Sequence, residues 1–284
     1  MSAFMQSPVS PARAADRGGD ETSSQLPRRL TARPALRGQR FLGPLLVLAL
    51  WVIATGAGLV DSETLPAPAA IAATFTEMVH TGYLQANLLV SLQRAALGLL
   101  FGVGSGVALA LVAGLTRPGD ALFDGLIQAK RAIPNLALIP LFIMWLGIGE
   151  TMKITIIALG VLVPIYINTH SALTDIDKRY VELAQSVELR RAAFLRYIVI
   201  PACLPGFFTG LRLAATHAWT ALVVVETINA TSGIGYMITQ ARIYGQIDIV
   251  IAGLVVYGVL GFGTDALIRL AQRKALSWRQ SLVQ

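Results

Sequence analysis

Residues 175–205 read DIDKRYVELAQSVELRRAAFLRYIVIPACLP. Before them lies Ile154–Thr174, 21 residues without a charge, and after them an apolar run in which Arg212 is the only charge between Gly206 and Glu226. A polar segment that returns so soon to apolar sequence is a loop between two membrane spans rather than a soluble domain. Within it Tyr180, Val181, Leu183, Ala184, Val187 and Leu189 recur near helical spacing. Lys178, Arg179, Glu182, Glu188, Arg190 and Arg191 supply the other side. This pattern predicts a short amphipathic helix at a membrane surface, either lying on lipid headgroups or serving as a docking knob for a cytoplasmic subunit. Pro201 and Pro205 are expected to break the chain before the next span.

The surrounding composition agrees with a membrane protein. Of 284 residues 55% are hydrophobic and 14% charged, with a mean hydropathy of +0.63, too apolar for an ordinary soluble domain. The net charge of +7 would suit nucleic acid, but the basic residues cluster at the ends of apolar segments, so the expected partner is the bilayer and not nucleic acid. One cysteine, Cys203, excludes an internal disulfide, and His80, His170 and His217 lack metal-ligand spacing.

Working outward, the expected architecture is all-α with six transmembrane helices. Residues 1–40 read as a disordered basic cytoplasmic tail. Residues 41–85 hold a first span, Phe41–Val60, and an outer surface helix whose face is marked by Ile71, Phe75, Met78 and Val79. The core, 86–270, holds five more spans: 22 uncharged residues between Arg94 and Arg117, then Ala132–Gly149 with Pro134 and Pro140 inside, Ile154–Thr174 broken at Pro164, Gly206–Thr227, and Ile247–Leu267. Residues 271–284 form a basic cytoplasmic tail. Gly98, Gly102, Gly106, Ala110 and Gly114 make a small-residue stripe on the second span, and Gly206, Gly210, Ala214 and Ala218 another on the fifth. Such stripes let backbones approach closely, within the chain or between subunits.

Lys and Arg orient the chain. Segments 1–41, 116–120, 172–206 and 269–284 carry seven, one, five and four of them, 17 in all, against two (Lys153 and Arg242) on the opposite face. The 175–205 loop and both termini are therefore expected in the cytoplasm. Charges inside spans each need an account: Arg212 is expected to snorkel, and Glu226, near the outer end of its span, either faces a cavity or reaches water, the latter being the simpler expectation. Asn135, Asn168, Thr169, His217 and Asn229 are candidates for lining a polar path or for hydrogen bonds between helices. Trp145 and Trp219 are path residues or interface anchors. No nucleotide-binding, zinc-protease or serine-hydrolase signature occurs, so no catalytic constellation emerges and the chain is not expected to be an enzyme; if it serves ATP-driven transport, the ATPase is a separate polypeptide.

The loop spacing also resembles the "EAA" loop of ABC-importer permeases: Glu-Ala-Ala, three residues, Gly, nine residues, Ile-x-Leu-Pro. Here Glu182-Leu183-Ala184, Glu188 and Ile198-Val199-Ile200-Pro201 keep the spacing, with Leu183, Glu188 and Ile200 departing from it. A glycine at position 188 would permit a turn between two short helices, so either the helix runs on here or Glu188 is strained. Similar stretches occur at 65–68, 131–150, 164–169 and 226–236, which look like the nitrate/sulfonate/taurine branch and most like aliphatic sulfonate permeases. The resemblance implies a binding-protein-dependent, type I importer in the bacterial inner membrane. It implies two copies of the permease, a cytoplasmic ABC ATPase dimer that uses ATP and Mg, an extracytoplasmic substrate-binding protein, and no cofactor in this chain. It implies ATPase coupling through Tyr180, Glu182, Leu183, Ala184, Glu188 and Pro201, with Glu182 the contacting charge. The translocation path would involve Asn135, Trp145, Asn168, His217 and Glu226. The alternative is an ion-coupled secondary transporter, which would need ionisable groups at mid-membrane and no ATPase.

Overall fold

The computed structural model describes residues 39–61 and 63–278. Of the expected tails, residues 1–38 and 279–284 fall outside these residues, whereas 39–40 belong to the first helix and 271–275 continue the last one. The chain divides at Val47/Leu48. Described residues up to Val47 contribute only the first turns of helix α1 (Gln39–Gly56). The second unit contains α2 (Pro68–His80), α3 (Tyr83–Leu115), α4 (Arg117–Ala132), a 3-10 turn (Asn135–Leu138), α5 (Ile139–Leu146), α6 (Glu150–Thr174), α7 (Lys178–Ser186), α8 (Arg191–Phe194), a π-turn (Leu195–Val199), α9 (Ile200–Asn229), α10 (Ile234–Ile243) and α11 (Ile247–Ala275). Among the described residues there is no strand.

Four helical stretches are long and apolar enough to cross a membrane: Tyr83–Leu115, Glu150–Thr174, Arg191–Ile228 and Ile247–Ala275. A fifth arises if α4 and the Asn135–Leu146 segment, bent by 92°, form one broken span. The first expected span, Phe41–Val60, is shorter than foreseen: its helix ends at Gly56, and Gly58 takes a left-handed φ of 66°.

Proline and glycine account for most of the differences from the expected spans. Ala132–Gly149 is not one helix. Proline disfavours helical backbone at the residue before it, so α4 stops at Ala132 and Ile133 is extended (φ −90°, ψ 121°) ahead of Pro134. Conversely, α6 is not broken at Pro164 but runs through it, because neighbouring helices hold it on two sides. Nor do Pro201 and Pro205 interrupt the chain. The π-turn, closed by Ile200 N–H on Leu195 O, feeds directly into α9, with Pro201 in its first turn where no backbone donor is required.

The two small-residue stripes grip α6. On α3, a Cβ at Gly106 would stand 2.9 Å from Ile165 Cβ, and Gly98 and Gly102 meet Ile157 and Val161 as closely. On α9, Gly206 and Gly210 meet the Asn168 and Pro164 carbonyls, and Ala214 and Ala218 are fully buried. The stripes therefore serve packing within the chain. Between them Ile156, Ile157, Val161 and Ile165 of α6 form the core with Ala214, Ala218, Leu222 and Val225. A second core joins α2, α3, α10 and α11 through Ile71, Met78, Leu84, Ile234, Met237 and Ala252. The face of α2 is narrower than its pattern suggests: Ile71 and Met78 are buried and Thr74 donates a 2.6 Å hydrogen bond to Asp248, while Phe75 and Val79 are exposed.

Candidate functional site

The loop helix comes first. Asp177 caps α7 by accepting the Arg179 N–H at 2.9 Å. At its other end the Leu189 N–H reaches Ala184 O at 2.8 Å and the Glu188 N–H reaches Gln185 O at 3.1 Å, a paired C-terminal closure. That closure requires a left-handed residue, and Glu188 supplies it with φ 50°. Of the two alternatives at this position, the helix ends and Glu188 is strained. Ala184 is buried (7% exposed). Tyr180, Leu183 (58%) and Val187, which would form the apolar face, are exposed, as is Glu182. Tyr180 and Pro201 come together around a groove of about 570 Å³ that also involves Tyr197, Ile198 and Trp278.

Halfway along α6 lies a cavity of about 590 Å³. It brings together three of the path candidates, Asn135, Asn168 and His217, with Lys130, Arg131 and Thr220. The break at Ile133–Pro134 is what places Asn135: its Nδ2 donates to Ile156 O at 2.9 Å, stitching the bent segment to α6. Lys130 Nζ donates to Asn135 Oδ1 and to Leu159 O, both at 3.2 Å. Asn168 bonds within its own helix, donating to Pro164 O at 2.8 Å, and among the described residues makes no interhelical bond. Apolar walls come from Ile133, Val163, Ile167 and Leu213. Trp145 and Glu226 are not part of this cavity. Trp145 is exposed on α5, edge-on to Phe142 at 5.9 Å.

Glu226 belongs to a third region, at the end of α6 remote from α7, and there the expectation that it reaches water fails. Its side chain is 0% exposed and paired with Arg94 at 2.8 Å. It accepts the Ser91 hydroxyl at 2.8 Å, the Gly235 N–H at 2.9 Å and the Tyr257 hydroxyl at 3.0 Å. Arg94, 2% exposed, forms a fork with both Glu150 oxygens at 2.6 Å and donates to Ser232 O. Lys153 adds a 2.9 Å pair to Glu150, whose own side chain is 56% exposed. The Ile234 N–H donates to Ser91 Oγ and the Gly233 N–H to Asn87 Oδ1. A Cβ at Gly233 would strike the Glu226 and Arg94 side chains, so a glycine with φ 113° stands there. Five helices are thus pinned where the chain turns into α10. Arg212, expected to snorkel, pairs with Asp265 of α11 at 2.8 Å while its side chain stays 45% exposed.

Helices able to span a bilayer, a cavity at their mid-depth and a short helix displayed between two of them define a multi-pass membrane protein of the transport class. The chain belongs to the family of binding-protein-dependent transport system inner membrane components, whose pattern matches residues 102–277. This makes it a permease subunit rather than an enzyme and decides against the ion-coupled alternative. It is 39% identical over 238 residues to a Bacillus subtilis protein assigned by name to aliphatic sulfonates transport, the permease SsuC (84% of this chain, 86% of that protein). It is 39% identical to the Escherichia coli protein of the same name (83% and 89%) and 33% identical to the Escherichia coli taurine transport system permease TauC (68% and 70%). Among solved structures, an amino acid ABC transporter shares the fold with a TM-score of 0.56 at 20% identity, over 70% of this chain and 98% of that one. An inward-facing MetNI methionine ABC transporter does so with a TM-score of 0.50 at 18% identity, over 65% and 94%.

Proposed function

We propose that the chain is the membrane pore subunit of an ATP-driven importer of small organic sulfonates, the compound class named for its relatives in Bacillus subtilis and Escherichia coli. Two copies would cross the inner membrane, each with six spans when α1 and the bent pair are counted. The 17-to-2 asymmetry of Lys and Arg supports cytoplasmic termini and a cytoplasmic α7. A cytoplasmic ATPase dimer hydrolyses ATP with Mg, and an extracytoplasmic binding protein delivers the substrate.

One observation carries the coupling: a capped helix, α7, shows Tyr180, Leu183 and Val187 on its exposed side while only Ala184 is buried. A soluble surface seldom leaves an apolar helix face bare, whereas a face that seats in a partner's groove requires it. The long helices that flank α7 in the chain, α6 before it and α9 beyond the short α8, both line the cavity. Movement of α7 with a closing ATPase dimer therefore acts on both walls of the path. Glu182 is the charge in contact with the ATPase, Ala184 the close-packing residue, and Pro201 the start of the rigid lever. Asn135, Asn168 and His217 belong to the path. The buried Glu226 belongs to the outer framework.

The test is uptake of labelled ethanesulfonate by cells expressing the chain with its ATPase and binding protein. Glu182→Arg should abolish uptake while membrane insertion stays normal. Normal uptake in that variant overturns the coupling role of α7.

A further inference from the structure

Several cations held within the long helices have a carboxylate partner. Arg94, Lys153 and Arg212 each have a carboxylate oxygen within 2.9 Å. Lys130, at the same depth as the middle of α6, has among the described residues only an amide oxygen and a backbone carbonyl, both at 3.2 Å. An ammonium offers three N–H donors, so one remains open and the whole charge is uncompensated. No aspartate or glutamate lines the cavity it faces, among the described residues, while Arg131 lies beside it and Asn168, His217 and Thr220 complete the polar lining. An unmatched cation at mid-membrane is costly, and where it lines a cavity the missing counter-charge is a ligand's.

We infer that this cavity holds a binding subsite for the sulfonate head of a small organic anion, with the Lys130 ammonium as its charged anchor and Ile133, Val163 and Leu213 as the wall for a short aliphatic tail. The inference rests on the cavity being the transport path. Lys130 is held in place by Asn135, itself tied to Ile156 O, so the anchor does not have to be ordered when the anion arrives. The anion gains a charge-assisted hydrogen bond in a site of low dielectric. The two long hydrogen bonds that Lys130 donates to uncharged oxygens are weak competitors for it.

Because Cys203 is the single cysteine, a Cys203→Ser background allows one thiol to be placed on the cavity wall by Thr220→Cys. In the full chain in lipid nanodiscs, the labelling rate with 2-sulfonatoethyl methanethiosulfonate is compared with that of its trimethylammonium counterpart, each relative to a free thiol. The sulfonate reagent should be favoured about tenfold, the scale on which a cleft of one charge concentrates its counter-ion. Lys130→Gln should lower the ratio several-fold, Arg131 sustaining what preference remains, and Lys130→Arg should keep it. Butanesulfonate should protect the thiol at lower concentration than sulfate. Labelling without charge preference, or a preference that Lys130→Gln leaves unchanged, overturns the subsite and leaves the path intact. Equal protection by sulfate and butanesulfonate overturns the tail wall. No labelling by either reagent overturns the path, and the subsite with it.

Discussion

At the end of α6 remote from α7, Arg94 meets two carboxylates; halfway along the same helix, Lys130 meets none. Both are cations among apolar helices, yet their surroundings differ in kind. Around Arg94 and Glu226 each charge has an opposite neighbour and most remaining polar atoms belong to backbone or hydroxyl partners from α3, α10, α11 and the loop ahead of α10. That arrangement fixes where the chain turns, and although a cavity of about 310 Å³ adjoins Arg94 and Glu150, their charges already answer each other. Around Lys130 there is open volume, and the charge is left for something to answer. Inside one bundle, complete pairing marks framework and incomplete pairing marks a place of work.

The comparison breaks most easily at Arg94. Replacing it by Met leaves the buried Glu226 carboxylate without a cation, and removing one partner of a buried pair costs about 3–5 kcal/mol. Thermal unfolding in detergent should show the loss, and the neutral combination of Arg94→Met with Glu226→Gln should recover more than half of it. If Lys130→Gln destabilises as much as Arg94→Met, the two regions do not differ in kind. Next in size is Gly102→Leu. A Cβ there meets Val161 and the Ala158 carbonyl, so α3 must separate from α6, with a loss of about 1–3 kcal/mol. The same substitution at Gly104, where nothing lies near, should be close to neutral. A smaller effect of the opposite sign is expected outside both regions. Glu188→Gly removes left-handed strain at the end of α7, partly offset by the freedom glycine gains on unfolding, for a net stabilisation of about 1 kcal/mol. Slower hydrogen exchange at the Leu189 amide would register it. Smallest is Lys130→Gln itself, within about 0.5 kcal/mol in stability, with a clear fall in uptake.

Sequence pattern carries the architecture well where periodicity is strong. The loop helix, its place between two spans and both small-residue stripes all stand in the structure, because helix amphipathicity and Gly/Ala spacing are local properties. Proline is less legible. Pro134 does end a helix, whereas Pro164, Pro201 and Pro205 sit in continuous ones, and the difference lies in neighbours that a one-dimensional reading does not contain. The burial of Glu226 is hidden for the same reason. Arg94 lies 132 residues away in the chain, and only the fold brings the two together. A usable signal is nevertheless present: Arg94, Lys130 and Glu226 are charges next to or within apolar runs. Opposite charges there suggest a pair, and Lys130 is the one left over once pairs are drawn.

The glycine and alanine stripes have a mechanical meaning as well. Where α3 and α9 touch α6, the carbonyls of Ala158, Leu162, Pro164 and Asn168 lie directly under the small residues, so no layer of long side chains stands between the backbones to bend and absorb load. Three helices joined this way are stiff against sliding. A push delivered at α7 travels along them as displacement of a block, and spin-label distances measured between α3 and α9 should stay constant through a transport cycle while, in the proposed two-copy assembly, distances from either helix to its copy change.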